Sequence, residues 1–138
     1  MTTKTKIIII AGVASFVLLA VIVGVIIYVA TDADYARQYS AALAEGREVG
    51  KRSDQDGCLR EGMARLSGVE EPSTSQLAAN DAFVGECLSV SRPTSGFCQG
   101  VPTVPYREWV ADQCRRLGRA DGICLGVFDA KHTFCNGL

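Results

Sequence analysis

The pattern of apolar and polar positions changes abruptly at residue 31. Residues 7–30 form a run of 24 residues with no charged side chain, and from residue 31 onward charged and apolar residues are mixed. A helix rises about 1.5 Å per residue, so roughly 20 apolar residues cross a hydrocarbon core about 30 Å thick. The run therefore predicts a transmembrane helix over residues 7–30, preceded by a short N-terminus of residues 1–6.

The charges that flank this run predict its orientation. Lys4 and Lys6 precede it, whereas Asp32 and Asp34 follow it. Because positive flanks tend to stay cytoplasmic, we expect a cytoplasmic N-terminus and a periplasmic or extracellular C-terminal part. The alternative is a cleaved signal peptide, whose apolar region is usually only about 7–15 residues and ends at a small-x-small cleavage site. The longer run and the lack of a clear Ala-x-Ala site favour an uncleaved, single-pass signal-anchor.

Beyond the run, apolar residues recur at the three- and four-residue steps of helices. They predict helices over about 34–66, about 76–90, from Pro105 to near Gly118, and about 122–135. Residues 31–50 would form a membrane-proximal helical stalk and residues 51–138 a folded domain. No segment shows sustained alternation of period two, so the predicted fold class is all-α, with about four helices after the transmembrane helix.

Helix-capping residues support these boundaries. Ser73 or Ser75 is suited to cap the second predicted helix, Asp121 the last one, and Gly118 is suited to end the third. The first predicted helix contains the polar stretch 50–57, where we expect either a bend in one long helix or a new helix capped by Ser53.

Six cysteines follow the apolar run, and they are Cys58, Cys87, Cys98, Cys114, Cys124 and Cys135. An even number of cysteines in a small domain on the oxidising side of a membrane predicts a framework of three disulfides. Cys58 and Cys87 lie at similar distances from the loop between the first two helices, and Cys114 and Cys124 flank the Gly118 turn. Of the 15 possible connectivities, this geometry favours Cys58–Cys87, Cys114–Cys124 and Cys98–Cys135.

Other cysteine chemistry fits the spacing less well. Structural zinc sites favour Cys-x2-4-Cys pairs, and thiol–disulfide oxidoreductases favour Cys-x-x-Cys. The sequence contains neither spacing, and His132 is its one histidine. We expect His132 on the polar side of the last helix. The sequence therefore predicts no metal site and no cofactor.

Composition and motifs exclude further classes of function. The chain has 14 basic and 15 acidic residues, and without Lys4 and Lys6 the C-terminal part carries 12 basic residues against 15 acidic ones. This mildly acidic, mixed surface does not favour nucleic-acid binding, which needs a clustered basic face. No catalytic motif such as Gly-x-Ser-x-Gly is present, and we predict that the protein is not an enzyme.

The connector before the third predicted helix is the candidate interaction surface. It offers apolar and aromatic side chains on a backbone stiffened by prolines, namely Phe97, Val101, Val104, Tyr106 and Trp109. The competing interpretation is that these residues cover the core, and for Trp109 a core position on an amphipathic helix is the more common outcome. The two interpretations of the connector remain open at this point.

These patterns predict a membrane-anchored extracytoplasmic protein that binds or scaffolds a protein partner whose identity the sequence does not give. A composition rich in Ala, Val, Gly and Arg is typical of a bacterial chain, which suggests the bacterial envelope. Two alternatives are an accessory subunit of a larger membrane complex and a redox-active thiol protein. A free thiol among the six cysteines would favour the redox alternative.

Overall fold

Five helices account for the regular structure over the residues that the structure describes. The computed structural model describes the backbone of residues 3–104 and 106–137, and side chains within those ranges from residue 17 onward. The helices are α1 (Thr3–Arg52), α2 (Gln55–Ala64), α3 (Thr74–Val90), α4 (Arg107–Arg116) and α5 (Gly122–Asn136). With 73% of residues in helices and no strand over the described ranges, the predicted all-α class is confirmed.

The first of two compact units ends at Ala36 and consists of the N-terminal part of α1. Among the described side chains, the stretch of α1 from Val17 onward is long and apolar enough to cross a membrane, and none of its most apolar 18-residue window is buried. The helix continues beyond the apolar run through Thr31, whose hydroxyl donates to the carbonyl oxygen of Tyr28 over 2.8 Å.

The second unit begins at Arg37, so it includes residues 37–50 of the segment that the sequence assigned to a stalk. Ala42, Gly46 and Gly50 lie four residues apart on one face of α1, and all three are buried. This face lies directly on the backbone of α3, because a Cβ at Gly46 would overlap the carbonyl oxygen of Phe83. The small residues therefore let two helix backbones approach closely, which explains why glycine is tolerated within a long helix.

The continuous helix predicted over residues 34–66 is interrupted at residues 53–54, and the proposed Ser53 cap was wrong by one residue. Asp54 is the N-cap of α2, and its carboxylate accepts a hydrogen bond of 2.7 Å from the Gly57 amide. The interruption is fixed by tertiary contacts, since the Arg92 amide donates to the Ser53 carbonyl and the Gln55 amide donates to the Arg92 carbonyl. These bonds tie the turn between α1 and α2 to the end of α3.

The caps of the later helices agree with the sequence prediction. Ser73 caps α3 in a reciprocal capping box with Gln76. The Asp121 carboxylate caps α5 by accepting from the Cys124 amide over 2.9 Å. Gly118 follows α4 in a left-handed conformation with φ of 68°, a conformation that favours glycine. The predicted helix start at Pro105 lies outside the described residues, and α4 begins at Arg107.

The core is centred on α3, whose Phe83, Val84 and Leu88 are at most 1% exposed, together with Val127 of α5.

The cysteines pair as the helix geometry predicted. Cys58–Cys87, Cys98–Cys135 and Cys114–Cys124 have Cα–Cα distances of 5.7, 5.4 and 5.9 Å. Disulfides therefore join α2 to α3, the connector to α5, and α4 to α5.

Candidate functional site

The residues of the predicted interaction surface do not share one environment, since some are buried in the core and others are exposed to solvent. Phe97 is only 6% exposed and packs edge-on against Phe134, with ring centroids 6.0 Å apart. Val101 is half-buried, whereas Val104 is 79% exposed. The connector thus covers the core through Phe97 and presents an apolar side chain to solvent at Val104.

The other two residues of that predicted surface, Tyr106 and Trp109, are half-buried and surround His132. The Tyr106 ring stacks on the imidazole at 4.5 Å, and the Trp109 ring lies 6.4 Å from it. His132 is 4% exposed, and its Nε2 is 3.3 Å from the carbonyl oxygen of Thr103. The prediction of a surface histidine was therefore wrong, because the connector and α4 cover that side of α5.

This environment gives His132 a structural role. Over the described part of the chain, its ring contacts are aromatic rings and a backbone carbonyl, and none of them is a carboxylate that would orient a catalytic base. Among the residues with described side chains, no three His, Cys, Asp or Glu groups are placed to hold a metal ion.

An open groove of about 580 Å³ lies between α1, α3 and α5 within the second unit. We call it the α1/α3/α5 groove. Its lining combines small residues (Ala78, Ala82, Gly85, Ala130), larger apolar residues (Tyr39, Leu43, Phe134) and polar residues (Asp81, Glu86, Ser89, Asp129, Thr133). The lining is thus mainly small and apolar, and every charged group in it is acidic.

The three carboxylates differ in their partners. Glu86 is paired with the guanidinium of Arg47, with a closest N–O distance of 2.6 Å. Asp81 and Asp129, in contrast, have no ion-pair partner within 4 Å among the described residues. The Asp81 carboxylate lies against Gly126 of α5, where any Cβ would overlap it. Gly126 therefore makes room for a second negative charge close to that of Asp129.

This placement makes ionisation of Asp81 less favourable than ionisation of an aspartate in water. Burial against α5 and, to a smaller extent, the negative charge of Asp129 raise the pKa of Asp81 to about 6. The ordinary value for an aspartate is 3.8. At neutral pH the group is ionised, but the folded protein holds that charge without a neutralising cation.

The shift predicts that Asp81→Asn stabilises the domain above pH 6. Because the folded-state pKa is raised, the wild-type protein loses stability as pH rises from about 3.8 to about 6. The full shift would correspond to about 3 kcal/mol, which we reduce to about 1 kcal/mol because Asp81 is partly exposed and screened by solvent. Denaturant unfolding of both proteins at pH 4 and pH 7.5 measures this. A stability difference that is equal at the two pH values would contradict it.

A second groove, of about 510 Å³, adjoins the first and lies between α3, α4 and α5. Its apolar lining includes Leu77, Val110 and Leu125, and it again contains Asp81 and Asp129. The two carboxylates therefore border both grooves. The second groove also contains Arg107. Of these two grooves, the α1/α3/α5 groove is therefore the one whose charged residues are all acidic.

The sequence analysis did not identify Asp81 or Asp129 as members of a site. One signal was present in the sequence of α3. Leu77, Val84 and Leu88 lie on one side of the helix. On the adjacent side, Ala78, Ala82 and Gly85 are small residues where a solvated face would carry charges. A helix that lacks a strongly polar face is usually covered on more than one side.

Comparisons with known proteins give no relative for this arrangement. No protein-family model matches the chain, and no curated protein or solved structure matches it at a significant level.

Proposed function

We propose that the protein is a single-pass membrane protein whose disulfide-stabilised helical domain lies outside the cytoplasm and binds a protein partner. The apolar part of α1, with Lys4 and Lys6 before it and Asp32 and Asp34 after it, supports this orientation. The bacterial envelope remains the expected setting, on grounds of composition alone.

The cysteines support the same compartment independently. All six are paired and none is free, and such bridges persist on the oxidising side of a membrane. A structural framework uses every thiol, which disfavours the alternative of a redox-active thiol protein. The disulfides would hold the helices of the domain in a fixed arrangement that presents a defined surface.

The α1/α3/α5 groove is the observation that carries the binding role. It is open and mainly apolar, and it contains two carboxylates without a cationic partner within the described residues. Apolar concave surfaces with a few polar groups are characteristic of binding sites. A scaffolding role in an envelope assembly would use the same surface.

The compartment is tested by mass spectrometry of the protein extracted from membranes in the presence of an alkylating reagent. We expect no alkylated cysteine until reductant is added, and we expect peptides from residues 1–30 to be present. Two or more alkylated cysteines without reduction would contradict the extracytoplasmic location, and loss of residues 1–30 would contradict the anchor.

The binding role is tested by site-directed photo-cross-linking in native membranes. A photoreactive amino acid at Ala82, inside the groove, should give a discrete adduct with a protein that mass spectrometry identifies. The same amino acid at Ser67, an exposed position outside the groove, is the matched control. Equal labelling at both positions, or none at Ala82, would overturn the groove as the binding site.

A further inference from the structure

The shape of the α1/α3/α5 groove fits a helix. Its lining residues on α3 run from Ala78 to Ser89 at the steps of a single helical face. At about 1.5 Å per residue, this stripe is about 16 Å, or three turns, long. Tyr39 and Leu43 of α1 border it, as do residues of α5. A groove three turns long that is flanked by two helices has a shape in which proteins bind an amphipathic helix.

The side chains along the middle of α3 allow close approach. Ala82 is half-buried and Gly85 is exposed, and a Cβ added at Gly85 would meet nothing within 4 Å. Small residues at such positions let a second helix pack near the backbone, in the way that Gly46 allows α1 to pack on α3. The side of α3 that faces the groove can therefore contact a bound helix, and its small side chains leave room for that helix.

The charges of the groove define the occupant further. An entirely apolar helix would cover Asp81 and Asp129 and remove water from two unpaired carboxylates, which costs several kcal/mol unless a cation compensates. The only other charge in the lining, Glu86, is already paired with Arg47. The occupant must therefore bring its own positive charge to Asp81 and Asp129.

We propose that the α1/α3/α5 groove binds an amphipathic helix of a protein partner, and that a Lys or Arg on the apolar face of that helix pairs with Asp81 and Asp129. The inference rests on the proposed binding function and adds the chemistry of the partner to it. Arginine suits the site well, since its planar guanidinium donates to two carboxylates at once.

The test is a selection with displayed helical peptides of about four turns, randomised along one face, against the full-length protein in lipid nanodiscs. We expect the selected helices to carry Lys or Arg within the randomised apolar face. Their affinity should fall about tenfold or more for the Asp81→Asn/Asp129→Asn variant. The Glu70→Gln/Glu71→Gln variant, which removes two exposed carboxylates outside the groove, should bind as wild type does.

The outcomes separate this inference from the proposed function. The proposal of a basic helix would be overturned if the selected peptides carried only apolar or acidic residues on the randomised face. It would also be overturned if their affinity did not change for the Asp81→Asn/Asp129→Asn variant. Cross-linking at Ala82 in native membranes would still report whether the groove is used. If that adduct proved to be a second copy of this chain joined through a segment without Lys or Arg, the inference would also fail. An unfolding transition of the Asp81→Asn/Asp129→Asn variant that is at least as stable as that of the wild type would show that lost binding is not lost folding.

Discussion

Gly46→Ala is expected to lower the free energy of unfolding of the helical domain by about 2 kcal/mol. Alanine normally favours a helix over glycine by up to about 1 kcal/mol. At this position, however, the new Cβ overlaps the carbonyl oxygen of Phe83, so α1 and α3 must move apart. The obstacle is backbone and cannot rotate away, and the cost of separating buried helices exceeds the gain in helix propensity.

Denaturant unfolding of the full-length protein in detergent measures this change. The chain has a single tryptophan, Trp109, so its fluorescence reports on the helical domain and not on the apolar part of α1. The matched control is Gly85→Ala, where a Cβ meets nothing within 4 Å and where we expect stabilisation of up to about 1 kcal/mol. Stabilisation by Gly46→Ala similar to that of Gly85→Ala would show that α1 does not pack closely on α3.

Replacing both Cys58 and Cys87 by alanine is expected to cost about 4 kcal/mol of stability. The two residues are 29 positions apart, and cross-linking a loop of that length restricts the unfolded chain by about 3.6 kcal/mol. Both side chains are 0% exposed within the core cluster that contains Phe83 and Leu88. Loss of the two sulfur atoms therefore also weakens packing in the core.

The Cys114→Ala/Cys124→Ala variant is the matched control for this experiment. Its cysteines are equally buried, at 1% and 0% exposure, but they close a loop of only 10 positions. Restriction of the unfolded chain by this shorter loop is worth about 2.7 kcal/mol. With the same loss of core packing, the expected total cost is about 3 kcal/mol. Unfolding of each variant, with its two remaining disulfides verified by peptide mapping, gives the comparison. A smaller loss for the Cys58–Cys87 bridge than for Cys114–Cys124 would show that loop length does not dominate here.

Features set by local sequence were predictable. The Ser73 and Asp121 caps follow from hydrogen bonds that close within three residues. The disulfide pairing followed from the positions of cysteines relative to two turns. The caps and the pairs Cys58–Cys87 and Cys114–Cys124 involve residues that are close in the chain or are brought together by a single helical hairpin, so spacing carries the information. Cys98–Cys135 was then the remaining pair.

Features set by distant backbone were not predictable. The sequence predicted either a bend or a new helix within residues 50–57 but did not decide between them, because the interruption at residues 53–54 depends on hydrogen bonds to Arg92, about 40 residues away. His132 is buried because a connector with no regular structure folds over α5. The groove likewise needs the relative placement of α1, α3 and α5, and periodicity does not specify which helix neighbours another. The carboxylates of Asp81 and Asp129 therefore looked like ordinary surface charges in the sequence.

The positions of the three bridges decide how the domain responds to a protease. A single cut within residues 59–86 or 99–134 leaves both fragments joined, because Cys58–Cys87 or Cys98–Cys135 spans the cut. The part of α1 from Arg37 to Arg52 lies outside every disulfide loop and is held by non-covalent contacts, among them the packing around Gly46 and the ion pair of Arg47 with Glu86. One cut in the turn at residues 53–54 would therefore leave no covalent link between α1 and the rest of the domain. Residues 88–97 likewise lie outside every disulfide loop, so a cut there would leave no covalent link between the part that contains Cys58–Cys87 and the part that follows it.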